Sequence, residues 1–197
     1  MNYLAHLYLA DESGHSLQGA LLGDVLKGNA WQLVPAAVQA AVLQHRALDR
    51  FTDEHPFVSR RRALFGQGER RFAGLVIDVA IDHWLSCHFQ PLTGCDLSLR
   101  VATLHRRLDQ EWRSYALARL PQLATHGSRV RRMIDERWLL GYADPGNVAL
   151  ALAGIERRLT RSPALAKLWQ RLPFPPMDEL QRFHDDSLAF ARAWPGG

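Results

Sequence analysis

Two aspartates lie inside the most apolar stretch of the chain, GLVIDVAIDHWLSCHF at residues 74–89. Apolar residues cover every face of the helix that this stretch predicts, which is typical of a helix in a protein core. Asp78 and Asp82 stand four residues apart and therefore lie one turn above each other. Two buried carboxylates at this spacing repel each other. The pair therefore requires positive charge, from a metal ion or from clustered histidines and arginines.

A second stretch, HRALDRFTDEHP, carries more groups of this kind. It places His45, Asp49 and Asp53 at steps of four along a helix whose preceding residues are apolar on the same side. Such a helix is expected to run from the core into a polar pocket. His6 and Asp24 lie in apolar stretches nearer the start of the chain. The sequence therefore predicts one site, formed by residues 1–90.

Nitrogen and oxygen ligands without thiolates suit Mn, Mg, Fe or Zn, and the many carboxylates favour Mn or Mg. A divalent ion with an open position lowers the pKa of a water and stabilises charge on a phosphoryl oxygen. Arg46 or Lys27 is available to clamp a phosphate. The alternative is a buried polar network in which histidines and arginines neutralise the aspartates without a metal. Neither a Gly-rich phosphate loop nor a GxSxG elbow occurs, which argues against nucleotide-dependent transfer and serine hydrolysis.

Helices must position these groups. Apolar periodicity and capping signals predict an all-α fold, a single-domain multi-helix bundle of roughly seven to nine helices over residues 1–197. Period-two strand patterns are missing from the sequence. The expected helices cover residues 2–10, 16–28, 35–56, 72–89, 96–115, a segment started by Pro121 and ending near 140, a segment started by Asp144 and Pro145, a segment started by Ser162 and Pro163, and 177–194.

The composition is that of a globular protein with a basic surface. The formal net charge is +4, and all but two of the basic residues are arginines. The densest basic patch is either a solvated face or a contact for phosphates or an acidic protein, and it consists of Arg60, Arg61, Arg62, Arg70 and Arg71. Two cysteines without zinc or disulfide spacing, and no signal peptide or membrane span, predict a cytoplasmic location.

Four segments, in order, resemble the acyl carrier protein phosphodiesterase family, also called ACP hydrolase. They are MNYLAHLYLA, LLGDVLKG, HRALDRFTDEHP and VIDVAIDHWLSCHF. The resemblance implies an HD-domain-like helical protein, distantly related to the HD phosphohydrolases. It also implies manganese-dependent hydrolysis of the phosphodiester that joins phosphopantetheine to a serine of holo acyl carrier protein, which yields apo carrier protein.

Carried over by position, the resemblance makes the metal-site candidates Asp24, His45, Asp78 and Asp82. His6 and Asp53 are additional candidates for the shell around the metal. The catalytic candidates are His83, Asp49, Arg46 and Lys27. The adjacent pair here is Asp82–His83, the reverse of the His-Asp order of ordinary HD enzymes, so the ligand roles of those enzymes cannot be copied across.

The resemblance also implies that acyl carrier protein is the partner of the basic patch, because acyl carrier proteins are small and acidic and the patch carries the complementary charge. Mg or Fe is an alternative to Mn. Two other functions stay open: hydrolysis of a small phosphate ester or nucleotide at the same metal, and a non-catalytic helical protein that binds an acidic partner. Nucleic acid is the less favoured partner, because neither a recognised DNA-binding motif nor a basic helix interleaved with aromatic residues occurs.

Overall fold

The described residues of the computed structural model are 1–115, 117, 120, 123–159 and 163–195. They contain twelve α-helices and one short 3-10 helix, without any strand. In chain order these are α1 (Tyr3–Glu12), α2 (Leu17–Leu22), the 3-10 helix (Ala30–Leu33), α3 (Ala36–Glu54), α4 (Pro56–Arg62), α5 (Arg70–Cys87), α6 (Phe89–Thr93), α7 (Leu97–Ser114), α8 (Ala124–Asp135), α9 (Trp138–Gly141), α10 (Pro145–Glu156), α11 (Leu165–Trp169) and α12 (Met177–Ala193). The predicted all-α fold is confirmed, whereas the relation to HD enzymes stays a prediction.

The long amphipathic helices lie where the sequence predicts them. α5, α7 and α12 begin and end within two residues of their predicted bounds. At the start of α10, the Asp144 carboxylate accepts a hydrogen bond from the Gly146 N–H, which is the expected cap. The predicted helix starts at Pro121 and Ser162 lie outside the described residues.

Two predicted helices have different ends. α2 ends at Leu22 instead of continuing to residue 28, and the next residue, Gly23, presses against α3. A Cβ on Gly23 would lie 2.2 Å from the ring of His45, so only glycine permits this approach. Pro56 does not simply close α3 but begins α4, since proline has no N–H to lose at the first helical position.

α5 lies at the centre of the core. Ile77, Ala80 and Trp84 on this helix are fully buried, and α5 packs against α1, α4, α10 and α11. α1 is itself buried along most of its length. Within the described ranges, no helix combines the length and the apolar character needed to cross a bilayer. α2 packs between α1 and α3, and α1 also contacts α5, so side chains predicted to form one site lie on neighbouring elements.

Candidate metal centre

Three side chains from two helices converge beside the core: His6 of α1, and His45 and Asp49 of α3. His6 Nε2 lies 3.0 Å from Asp49 Oδ1, and His45 Nε2 lies 3.1 Å from Asp49 Oδ2. The two imidazole rings stack with their centroids 3.8 Å apart. One ligand atom from each residue lies within 4.8 Å of the other two. We call these three residues the His-His-Asp cluster.

The sequence pattern of α3 explains why the cluster forms at this point. Val38, Ala41 and Val42 are buried along one side of α3, and the next residues on that side are His45 and Asp49. The change from apolar to ionisable residues was the signal for a polar pocket, and the structure places the cluster at this change. Both histidines are buried, while the Asp49 side chain is 36% exposed.

Asp24 reaches the cluster from the turn that follows α2. Its Oδ1 lies 3.5 Å from His45 Nε2, and its side chain is 67% exposed. The Arg46 guanidinium holds this turn in place by donating to the backbone carbonyls of Leu26 and Gly28. Asp24 therefore lies at the solvent-facing edge of the cluster, and Arg46 orients the turn instead of projecting freely toward a ligand.

Asp78 lies beside the cluster and is connected to it through the amino group of Met1. The amino nitrogen lies 3.0 Å from Asp78 Oδ1 and 3.3 Å from Asp49 Oδ1. Burial lowers the pKa of this amine, but the two carboxylates outweigh burial and raise the pKa to about 11. Burial also raises the pKa of Asp78, although the ammonium group pulls it the other way.

The two stacked histidines have opposite protonation preferences. Burial, with repulsion from His45, lowers the pKa of His6 to about 4, so its ring is neutral at pH 7. Burial also acts to lower the pKa of His45, but the carboxylates of Asp24 and Asp49 prevail and raise it to about 9. Burial acts to raise the pKa of Asp49, yet both histidines hold it well below its usual range.

These donors fit a divalent cation. The Nδ1 atoms of His6 and His45 are buried without a hydrogen-bond partner among the described residues, and His45 Nε2 lies near the carboxylates of Asp24 and Asp49 without hydrogen-bond geometry. A buried nitrogen without a partner costs about 1–3 kcal/mol, and coordination to an ion removes that cost. Ligand atoms bonded to one ion at about 2.0–2.2 Å lie about 3–4.5 Å apart. The 4.8 Å span of the cluster is close to this separation.

Asp82 points in a different direction and caps α1. Its two carboxylate oxygens accept hydrogen bonds from the backbone N–H groups of Leu4, at 2.8 Å, and Ala5, at 3.0 Å. The side chain of Asn2, the residue before α1, makes no capping hydrogen bond. Burial raises the pKa of Asp82 to about 7 against the effect of the two amides. This carboxylate thus holds the first turn of the helix that carries His6.

Other predicted residues lie outside the His-His-Asp cluster. Asp53 is exposed and pairs with Arg62 at 2.8 Å. His83 is buried on α5 and donates from Nδ1 to the Tyr142 carbonyl oxygen at 2.7 Å. Lys27 is exposed in the turn after α2. The structure therefore brings His6, Asp24, His45 and Asp49 together and leaves these three apart from them.

Ion pairs within the protein occupy part of the arginine patch. Arg60 and Arg61 both contact Glu179 at 3.2 Å, and Arg61 is buried over the ring of Phe57. Arg62 is held by Asp53 as described above. The two exposed arginines at the start of α5, Arg70 and Arg71, have no carboxylate partner in the described part of the chain.

Sequence reasoning missed the glycines that bring α2 and its turn against α3. A Cβ on Gly19 would lie 2.5 Å from the Ala41 Cβ, and Gly23 has the contact with His45 already described. The spacing was visible in the segment GALLG, because two glycines four residues apart mark one helix face that admits close approach. The contribution of the Met1 amino group left no comparable signal.

Comparisons with known proteins agree on one family. The sequence model of the family described as acyl carrier protein phosphodiesterase matches residues 1–187. A protein of that name from Serratia proteamaculans is 39% identical over 167 residues, which are 84% of this chain and 83% of the relative. Its namesake from Photorhabdus laumondii is 35% identical over 196 residues, which are 99% of this chain and 92% of the relative. The namesake from Escherichia coli is 34% identical over 173 residues, covering 87% of this chain and 86% of the relative. No solved structure matches the chain significantly.

Proposed function

This chain belongs to the acyl carrier protein phosphodiesterase family, and we propose that it hydrolyses the phosphodiester between phosphopantetheine and a serine of holo acyl carrier protein. The products are apo carrier protein and free phosphopantetheine. The observation that carries this proposal is the His-His-Asp cluster, which lies against the core and opens to solvent at Asp24.

The residues proposed to hold the metal are His6, His45 and Asp49, with Asp24 at the solvent-facing edge. Mn is the first choice, with Mg and Fe as alternatives, since the donors are nitrogen and oxygen without thiolate. Such an ion, when bound, acts as a Lewis acid that lowers the pKa of a water and offsets charge on phosphoryl oxygens. His45 releases its proton when it becomes a ligand, while His6 is already neutral at pH 7.

The carboxyl groups around the proposed ligands have separate roles. His45 lowers the pKa of Asp24, so Asp24 is ionised at neutral pH and is suited to accept a proton from the attacking water. The proton that Asp24 accepts is then available to the departing serine oxygen. Asp78 pairs with the Met1 ammonium, which also contacts Asp49, so we assign Asp78 to holding the proposed ligand Asp49 in place. Asp82 acts at a distance, because it fixes the helix that carries His6.

The acidic carrier protein requires a basic surface for docking. Arg61 is buried and Arg60 shares Glu179 with it, so these two residues are poor candidates for contact with a partner. Arg70 and Arg71 are exposed on the first turn of α5 and are the proposed contacts. The charge they offer steers association more than it adds to the final affinity.

The deciding experiment incubates the purified protein with holo acyl carrier protein and Mn, and follows the mass of the carrier. The proposal requires the carrier to lose the mass of phosphopantetheine. Asp49→Asn should reduce the rate by at least about 100-fold, since it removes a proposed ligand. Asp53→Asn is the matched control, because the same change falls one turn later on an exposed residue outside the cluster.

Two results would contradict the proposal. One is an unchanged carrier mass with wild-type protein and saturating Mn. The other is an Asp49→Asn variant that is as active as the Asp53→Asn control. Parallel assays on free nucleotides and small phosphate esters test the alternative substrate class at the same centre.

A further inference from the structure

A cavity of about 150 Å³ opens directly beside Asp24. Leu21 at the end of α2 and Val25 in the turn that follows form one part of its wall, and Val130 and Met133 of α8 form another. Asp24 lines this cavity and also lies 3.5 Å from His45 in the metal centre. Asp24 therefore belongs both to the wall of the cavity and to the edge of the candidate metal centre.

We propose that this cavity is the subsite for the pantoyl portion of phosphopantetheine, an inference that rests on the proposed function. In that group the phosphate is followed by a methylene, a carbon bearing two methyl groups, a hydroxyl-bearing carbon and an amide. The branched carbon is the most apolar part of the chain near the phosphate. Its methyl groups match a wall of aliphatic side chains, because burying them removes apolar surface from water.

The size of the cavity limits which part of the substrate it holds. A cavity of about 150 Å³ in a protein interior accommodates a molecule of about six carbon atoms, such as benzene. The pantoyl portion has this size, whereas the whole prosthetic group is far larger. The cavity therefore binds the segment next to the scissile phosphate, and the distant thiol end of the prosthetic group stays outside it.

The rim of the cavity has the polar groups that this segment needs. Arg129 of α8 lines the cavity and has no carboxylate partner in the described ranges, whereas Arg131 and Arg132 pair with Asp109 and Glu136. Its five donors suit the hydroxyl and amide oxygens that follow the branched carbon. The same cavity thus offers an aliphatic wall for the methyl groups and a cationic side chain for the oxygens that follow them.

The test compares natural phosphopantetheine with an analogue that lacks the two methyl groups. Each compound is used free in a calorimetric binding measurement with Mn present, and attached to carrier protein in the mass assay. Wild-type protein should bind the natural compound about tenfold more tightly and cleave its carrier conjugate with about tenfold higher kcat/KM. Equal binding and equal cleavage of the two compounds would overturn the subsite.

A protein variant gives a second, independent comparison. Val25→Phe places a ring at the half-buried wall of the cavity and should remove the preference for the methylated compound in both assays. Ser128→Phe is the control, because Ser128 is an exposed residue of α8 that lines a different cavity. A Val25→Phe protein that keeps the wild-type preference would contradict the assignment.

The two assays separate failure of the subsite from failure of the proposed function. Binding with the methyl preference but without hydrolysis would overturn the phosphodiesterase activity and support the subsite. Hydrolysis without any methyl preference would overturn the subsite and support the activity.

Discussion

Replacing Asp82 by alanine removes the only carboxylate that caps α1 within the described structure. Asp82 is completely buried, and its oxygens accept from the N–H groups of Leu4 and Ala5. Alanine leaves both N–H groups buried without partners, at about 1–3 kcal/mol each. We therefore expect Asp82→Ala to lower the free energy of unfolding by about 3–5 kcal/mol. This loss is a large fraction of the roughly 5–15 kcal/mol typical of a whole domain.

The measurement is urea unfolding followed by circular dichroism at pH 8, with a chelator present so that no metal contributes. At this pH the Asp82 carboxyl, whose pKa is about 7, is largely ionised. Asp82→Asn keeps one acceptor oxygen and should lose about half as much stability as Asp82→Ala. Asp53→Ala is the control, because its exposed ion pair with Arg62 contributes at most about 1 kcal/mol.

One result would refute the reasoning. If Asp82→Ala unfolds at the wild-type urea concentration in chelator and loses stability only when Mn is added, then Asp82 acts as a ligand and not as a cap. Loss of stability in chelator, with weaker Mn binding as a consequence of a displaced His6, is the expected pattern.

Three further predictions concern the metal, the partner and the turn. His45 has a pKa of about 9 and must lose its proton to bind a metal. The apparent Kd for Mn should therefore fall about tenfold per pH unit from pH 7 to 9 and stay constant above pH 9. A Kd that is independent of pH in calorimetry would exclude His45 as a ligand. The double variant Arg70→Glu, Arg71→Glu should have a higher KM for carrier protein, a KM that no longer depends on salt, and an unchanged kcat. Unaltered steady-state kinetics would reject this docking surface. Gly23→Ala should destabilise the fold by about 1–3 kcal/mol and weaken Mn binding, because its Cβ would meet the ring of His45 at 2.2 Å. A thermal melt and Mn affinity equal to those of Gly68→Ala, where the added Cβ would meet no neighbouring atom, would show that the turn is free to adjust.

The long helices and part of the His-His-Asp cluster were predictable from local patterns. α5, α7 and α12 have extended apolar periodicity, and such signals do not depend on distant parts of the chain. The stripe on α3 located His45 and Asp49 for the same reason. His6 was an additional candidate only through the family resemblance, because a histidine in an apolar helix is by itself more often a core residue.

The features that the sequence did not predict depend on contacts between residues that are far apart in the chain. Asp82 was predicted beside Asp78 because the two share one side of α5, but its partners are amides of α1, 77 and 78 residues earlier in the chain. Glu179, which neutralises Arg61, lies 118 residues after it. The close approach of Gly23 to His45 is likewise a contact between separate helical segments, which helix propensity cannot indicate.

The elements that supply the proposed ligands differ in how freely they can move. His6 and His45 are buried on helices packed into the interior, whereas Asp24 lies on an exposed turn held by Arg46 through backbone carbonyls. In the proposed coordination sphere, the two histidines are therefore held rigidly and Asp24 is able to adjust its position. A shift of the Asp24 carboxylate alone would accommodate ions of different radius. We therefore expect Mn, Mg and Fe to replace one another at this site without repacking of the interior.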